Sequence, residues 1–319
     1  MIRSKHVKKL VLGGACVAVA GASLLIPVGG GSASQLSATA PRSAGPVSLS
    51  EVSSDPPETK LPLLFIHHSV GGALLADPGD KQRIAEEIWK AHPNGGGLRR
   101  LLEGQGYEVH EASYGSDIGG HTDRGDWLPK FRDKMQVIRT CALNDQRLPD
   151  GRQNKIVVFK SCFPENMLSD DAAVAHAREN LTALLPIIAA HPDMLFVYMT
   201  TPPLAPKVRS EPAWKWLARK LTGKPLPGPR LLKSGPGARR LNDWVVSPDG
   251  WLKDYPLKNL VVFDLFDTLT NHGKSDFLEF ATDDGYDSHP SRAGNELVAA
   301  EFVPFLNRAV RRAGLVEQR

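Results

Sequence analysis

The run Lys155–Cys162, KIVVFKSC, constrains the fold more than any other stretch of the chain. Its middle is apolar without alternation, the pattern of a strand covered on both faces. Four other short runs also read as strands: Leu61–Ile66, Tyr107–Tyr114, Met194–Thr200 and Asn259–Phe266. Segments with helical spacing fall between them. Gln82–Ala91 carries Ile84, Ile88 and Trp89, and Leu98–Leu102 is closed by Gly104 and Gly106. Trp127–Cys141 sets Trp127, Phe131, Met135 and Ile138 on one face, and Asp170–Ala190 carries Leu181, Leu184, Leu185 and Ile188. Ser291–Ala313 closes the chain, with Ser291 at the N-cap position. Strands alternating with helices predict an α/β fold: a parallel sheet with helices on both sides. Ligands in such folds collect outside the carboxyl ends of the strands.

The ends of this pattern mark the organisation of the chain. Arg3, Lys5, Lys8 and Lys9 precede an apolar run from Leu10 to about Val28, which ends in Gly31-Ser32-Ala33-Ser34. Residues 1–34 therefore read as a Sec-type signal peptide, and the expected location is secreted. An uncleaved membrane anchor is the alternative, since the run is nearly long enough to cross a bilayer. Lipidation at Cys16 is not expected, because Gly13-Gly14-Ala15 leave almost no apolar run before it. Residues 35–60 are rich in Ser, Ala, Pro and Glu and read as a disordered linker. Residues 61–319 form one domain. The formal charge is +4, and the signal holds four basic and no acidic residues, so 4 − 4 leaves the remainder near neutral. That balance gives no reason to expect nucleic acid as a partner. Cys141 and Cys162 could pair in an oxidising compartment or stay as separate thiols.

An insertion at about 202–257 separates the fourth and fifth strands. It holds Trp214, Trp216, Trp244 and Trp251, four of the six tryptophans. Between Lys207 and Arg240 lie ten Lys or Arg against a single acid, Glu211. Aromatics interleaved with cations could bind sugar rings or an anionic surface, with Trp214 and Trp216 as candidate substrate contacts. The plainer expectation is a helical excursion whose tryptophans pack on the domain and whose lysines are solvated.

The chemistry centres on LPLLFIHHSVGGALL, residues 61–75. A buried strand running into His-His-Ser-Val-Gly-Gly places the Ser69 hydroxyl at the carboxyl edge of the sheet, where it could act as a nucleophile or cap the next helix. Acyl transfer by a serine also needs a base, a group that orients the base, and donors for the oxyanion. DDGYDSHPSRAG, residues 283–294, offers His289 as base and Asp287 as orienting acid, with Asp284 second. His67 and His68 read as framework of the turn.

Strand, Ser turn, Gly loop, polar third-strand end and terminal Asp/His-Pro loop, in that order, resemble the SGNH (GDSL-like) hydrolase superfamily. The likeness is greatest to a subset with His-His-Ser in place of Gly-Asp-Ser, and it covers about residues 61–310. It implies a flavodoxin-like three-layer α/β/α fold with a parallel sheet of about five strands, and ester hydrolysis through an acyl-serine. Ser69 matches the nucleophile and its N–H the first oxyanion donor, and His289 matches the base. The loop from Gly115 occupies the place of the next donor, which could be Gly115, Gly119 or Gly120. Asn166 is the nearest amide to the family's third block, with Ser161 as a rival. His68 replaces the usual Asp, and Tyr286 stands where the orienting acid is expected.

The expected function is a secreted serine esterase acting on a small-molecule or glycan ester, such as a sugar O-acetyl or small acyl ester. Peripheral association with the cell envelope is a further expectation, and no cofactor or metal is expected. One alternative is a non-catalytic carbohydrate- or envelope-binding protein on the same scaffold. The other rests on VVFDLFDTLT, residues 261–270, which looks like the first motif of haloacid-dehalogenase-type phosphatases with Asp264 as nucleophile. That motif normally opens its domain, and here only 49 residues follow Thr270.

Overall fold

The computed structural model describes residues 49–149, 151–209, 213–222 and 227–317, and the side chains of Ala213, Trp216 and Leu217 are outside that description. The predicted signal peptide and the first part of the predicted linker therefore lie outside the described residues. The first half of the domain holds β1 (Leu61–Ile66), α1 (Ser69–Leu75), β2 (Asp77–Pro78), β3 (Gln82–Ala85), β4 (Ile88–His92), α2 (Leu98–Gly104) and β5 (Tyr107–Ala112). Then come α3 (Trp127–Asp133), α4 (Met135–Thr140), β6 (Cys141–Leu143), β7 (Gln146–Arg147), β8 (Ile156–Phe159), α5 (Asp171–Thr182) and α6 (Leu185–Ala189). The remainder is β9 (Leu195–Met199), α7 (Ala213–Leu221), α8 (Pro227–Val246), β10 (Leu260–Phe263), α9 (Leu265–Leu269), β11 (Ala281–Thr282), β12 (Asp287–Pro290) and α10 (Arg292–Arg312).

The main sheet has the order β10-β9-β8-β1-β5-β6-β7. Its five long strands are parallel and follow the flavodoxin-like order, with β1 between β5 and β8. Leu61 pairs with Tyr107 and Ile66 with Ala112 on one side, and Ile66 with Phe159 on the other. The sheet exceeds the expected five strands through β6, parallel to β5 by a single pair, and antiparallel β7.

Alternate residues of the long strands feed two cores. Leu63, Phe65, Ile156, Val158, Leu195 and Val197 meet Leu74, Leu98, Leu102, Val298 and Phe302 from α1, α2 and α10. Leu64, Ile66, Val157, Phe159, Phe196 and Tyr198 meet Trp127, Phe131, Ile138, Leu181 and Leu241 from the other helices. Burial on both faces is the reason these strands are apolar without alternation.

Several expectations are corrected. Gln82–Ala91 is not a helix: β3 and β4 form an antiparallel hairpin, joined to β2 in a separate three-stranded sheet. Its turn is set by Glu87 at φ 53°, and Ile84, one of the three apolar residues that suggested a helix, is 54 % exposed. Asp170–Ala190 divides into α5 and α6, with Pro186 in the first turn of α6, where the missing N–H costs nothing. Trp127–Cys141 divides at Lys134. Ser291 sits at the N-cap of α10, but its side chain makes no capping bond.

The later part of the predicted linker is tied down. Asn307 Nδ2 donates to Ser54 O at 2.8 Å, and Arg311 Nη2 donates to Asp55 O and Pro56 O. Cys141 and Cys162 are both free and buried, so no bridge joins them. In the insertion, Trp251 is buried against Tyr198 and Trp244 lies under Arg178, 5.0 Å from the guanidinium carbon.

Candidate active site

β1 delivers its chain to the carboxyl edge of the sheet, and α1 begins there with Ser69 as its first residue. Such a start is tight, and two glycines make it possible. A Cβ on Gly71 would overlap the His67 side chain, and one on Gly72 would overlap the Glu87 carbonyl oxygen of the β3–β4 hairpin. The hairpin therefore presses directly on the turn that carries the serine.

The opposite end of the chain supplies the partner. Ser69 Oγ lies 2.8 Å from His289 Nε2, and His289 Nδ1 lies 2.6 Å from Asp287 Oδ1. The same carboxylate oxygen accepts the His289 backbone N–H at 3.1 Å. Burial works against the Asp287 charge, but the bonds and charge of His289 outweigh it and hold the carboxyl below the usual carboxylate range. Asp284, the second candidate for orienting acid, is exposed at φ 53° and is not the partner. Tyr286 is also exposed, with Lys207 and Arg209 over its ring.

Strand β12 holds the base through pairing with β11, where Thr282 Oγ1 donates to His289 O at 3.0 Å. The start of the insertion clasps the same loop. Ala205 N donates to Ser288 Oγ at 2.9 Å, Lys207 N to Gly285 O at 3.0 Å, and Lys207 Nζ to Asp284 O at 2.7 Å. Phe163 meets the His289 ring edge to face, with centroids 5.3 Å apart. The clasp from Ala205 and Lys207 and the contact of Phe163 were not visible in the sequence, because each joins segments distant in the chain.

The two histidines before the serine have distinct environments. His68 Nε2 donates to Gly119 O at 2.7 Å, and its Nδ1 accepts from Thr122 Oγ1 at 3.1 Å. The ring stacks on Tyr114 at 3.6 Å, and burial lowers its pKa to about 4. It is a neutral framework group. His67 is fully buried, with Nδ1 3.0 Å from His68 O and Nε2 3.0 Å from Glu111 Oε2. Glu111 also receives the Arg99 guanidinium. Burial disfavours the Glu111 charge, yet its bonds to His67 and Arg99 leave the carboxyl below the usual range.

The oxyanion candidates separate clearly. The first backbone bond of α1 is Gly72 N to His68 O, which leaves the Ser69 N–H without a partner among the described residues. Gly119 N donates to Ser116 Oγ and Gly120 N to Ser116 O, so neither amide is free. Gly115, at φ +79°, keeps an N–H with no partner among the described residues. Asn166 does not fill the third position. It is fully buried, and both amide hydrogens are used: Nδ2 donates to Thr201 O at 2.8 Å and Pro202 O at 3.0 Å. Its Oδ1 accepts from Arg124 Nη2. Ser161 is also fully buried, its Oγ accepting from Trp127 Nε1 at 3.0 Å.

Among the described side chains, the insertion tryptophans make no hydrogen bond or ring contact with Ser69, Asp287 or His289. Trp214 is 67 % exposed, and the contact of its ring is with Lys215 of the same helix. The Trp216 side chain lies outside the described residues. Asp264 caps α9, accepting from Asp267 N and Thr200 Oγ1, and burial raises its pKa to about 6. A carboxylate bonded in this way is a structural cap. Among the described residues, no cluster of three or more His, Cys, Asp or Glu is placed to hold a metal ion.

No family model matches the chain, and no curated protein does either. Solved structures do. The acetylxylan esterase Axe2 from Geobacillus stearothermophilus is 14 % identical, with 82 % of this chain and 98 % of that one covered, at a TM-score of 0.41. A Bacteroides fragilis protein proposed to be an acylhydrolase is 13 % identical over 79 % of this chain and 91 % of its own, at 0.43. LAE5, an alpha/beta hydrolase enzyme from the metagenome of Lake Arreo in Spain, is 11 % identical over 83 % and 100 %, at 0.38.

Proposed function

We propose that this chain is a secreted serine esterase of the SGNH kind. The observation that carries the reading is the continuous line from Ser69 Oγ through His289 to Asp287. A hydroxyl, an imidazole and a carboxylate in that order are what acyl transfer needs from side chains. Ser69 Oγ attacks the ester carbonyl and its proton passes to His289 Nε2. The tetrahedral intermediate collapses as His289 returns the proton to the leaving alcohol. Water then repeats the two steps on the acyl-serine and releases the acid. Asp287 keeps the imidazole oriented and steadies its charged form. The Ser69 and Gly115 N–H groups are the proposed oxyanion donors, since both lack partners among the described residues.

Small acyl esters, including sugar acetates, are the proposed substrates. The support is the resemblance to the SGNH superfamily carried by Ser69, the loop from Gly115 and Asp287-Ser288-His289. Export rests on the basic and apolar pattern of residues 1–34. Peripheral contact with an anionic envelope surface is supported by α7, whose Trp214 and Leu221 are 67 % and 78 % exposed beside Lys215.

The test is hydrolysis of a short-chain aryl ester by the purified protein and by Ser69→Ala. The native protein is expected to turn the ester over, and the variant to lose at least about 10³-fold in rate. An organophosphonate should label Ser69 and no other residue. Equal rates in the two proteins would remove Ser69 from the mechanism.

A further inference from the structure

Beneath the nucleophile runs a buried line of charge that the reaction above does not use. Arg99 of α2 donates through Nε to Glu111 Oε1 at 2.9 Å, and its Nη1 holds the carbonyl of Trp89 in the hairpin. Glu111 of β5 faces His67 Nε2 through its other oxygen. His67 Nδ1 faces His68 O, which also accepts Gly72 N at 3.0 Å. His67 is wholly buried and Glu111 is 4 % exposed.

The chemistry of the partners fixes the protons on His67. A backbone carbonyl can only accept, so Nδ1 carries a hydrogen. The bonds of His67 and Arg99 hold the Glu111 carboxyl below the usual range against its burial, so it is an ionised carboxylate and Nε2 donates to it. Both ring nitrogens are donors, and the ring is an imidazolium. The charged groups about it are Glu111, Arg99 beyond that carboxylate, and neutral His68 next in the chain. The ring fills the space that Gly71 leaves, one turn of chain from the serine.

We infer that His67 and Glu111 are positioning residues for Ser69: the ion pair grips the His68 carbonyl at the head of α1 and fixes the nucleophile against His289. The inference rests on the esterase reading for its consequence and on the buried bonds for its geometry. Arg99 and Glu111 also tie the hairpin to the same anchor, so the roof over Gly72 and the floor under Ser69 are held by one network.

The test is Glu111→Gln in the full chain, with near-UV circular dichroism to check packing. The variant is expected to lose about 10- to 100-fold in kcat with KM little changed, because misplacing a reacting group costs that much without weakening binding. Phosphonate labelling of Ser69 should slow by a similar factor. Nitrogen-15 NMR of native His67 should show both ring nitrogens carrying hydrogen under the assay conditions, as the bonds to His68 O and Glu111 Oε2 require. In the variant Nε2 should no longer donate to residue 111. A structural role alone would not move the kcat and the labelling rate together while KM stays put. Arg99→Lys, which leaves a cation on Glu111, is expected to keep the native kcat and NMR pattern. Should Glu111→Gln fail to fold, Glu111→Asp takes its place, since it keeps the charge but shortens the reach to His67.

A folded variant with kcat and labelling rate within twofold of native overturns the inference, as does a native His67 with only one protonated nitrogen. Failure of the esterase reading looks different. The native protein would then label at Ser69 without turning over any ester, and the variant's labelling rate would still decide the role of the ion pair.

Discussion

Ser69 and His289 stand 220 residues apart in the chain and 2.8 Å apart in space. Their meeting depends on two loops at the same edge of the sheet, one after β1 and one before α10. The carboxylate that completes the line comes from only two residues away, where Asp287 Oδ1 takes both the ring and the backbone N–H of His289. A short strand thus presents acid and base as one unit.

Asp287→Asn is expected to lower kcat by about 10²- to 10⁴-fold, because an amide there offers the imidazole the wrong hydrogen-bond pattern. Asp284→Asn should stay within about twofold of native, since its side chain is exposed and remote from the ring nitrogen. Steady-state rates on one aryl ester compare the two, and equal losses would assign the orienting role wrongly.

His68 makes stability depend on acid. Its native pKa of about 4 lies below the ordinary histidine value of 6.5, so the native state binds fewer protons than the unfolded chain between those values. Its contribution is therefore fully present above about pH 6.5 and is lost as pH falls toward 4. Discounted for residual solvent at the ring, the loss amounts to about 2 kcal/mol. Urea midpoints measured from pH 4 to 7 should show this slope, and His68→Gln should flatten it.

Asn166→Ala separates a structural amide from an oxyanion donor. Removing it strands Thr201 O and Pro202 O and takes one of two acceptors from Arg124 Nη2, which should cost about 2–3 kcal/mol of stability. Turnover of the aryl ester by the folded variant should change by less than about fivefold. Loss of an oxyanion donor would instead cost about 10²- to 10³-fold.

Gly72→Ala tests the contact between the hairpin and α1. The new methyl would overlap the Glu87 carbonyl oxygen, and backbone must shift to admit it. A loss of about 1–3 kcal/mol is expected, visible as a lower urea midpoint. Gly104→Ala, with open space around the added atom, serves as the control.

The parts of this molecule that were legible in the sequence are those with local signals. Val157, Val158 and Phe159 are apolar without alternation because both faces of β8 are covered, and that pattern needs no partner to be recognised. Ser69, Asp287 and His289 lie in short motifs whose order along the chain resembles a known family. The misreadings share a cause. Ile84, Ile88 and Trp89 have helical spacing, but tertiary contacts with Gly72 and Arg99 decide that the segment is a hairpin. Asn166 lies near the family's third block in sequence, yet its bonds to Thr201 and Pro202 bind it elsewhere. The clasp of Ala205 and Lys207 on residues 284–288 had no signal at all, because every one of its bonds has a backbone group as a partner and joins residues about 80 apart.

The buried thiols of Cys141 and Cys162 have a practical consequence. Cys141 Sγ points at Asn144 O, and Cys162 at Lys160 Nζ, so each fills its own niche. With no crosslink between them, the domain has nothing for dithiothreitol to cut. Native packing needs no oxidant, and refolding from urea in the presence of reductant is expected to recover it.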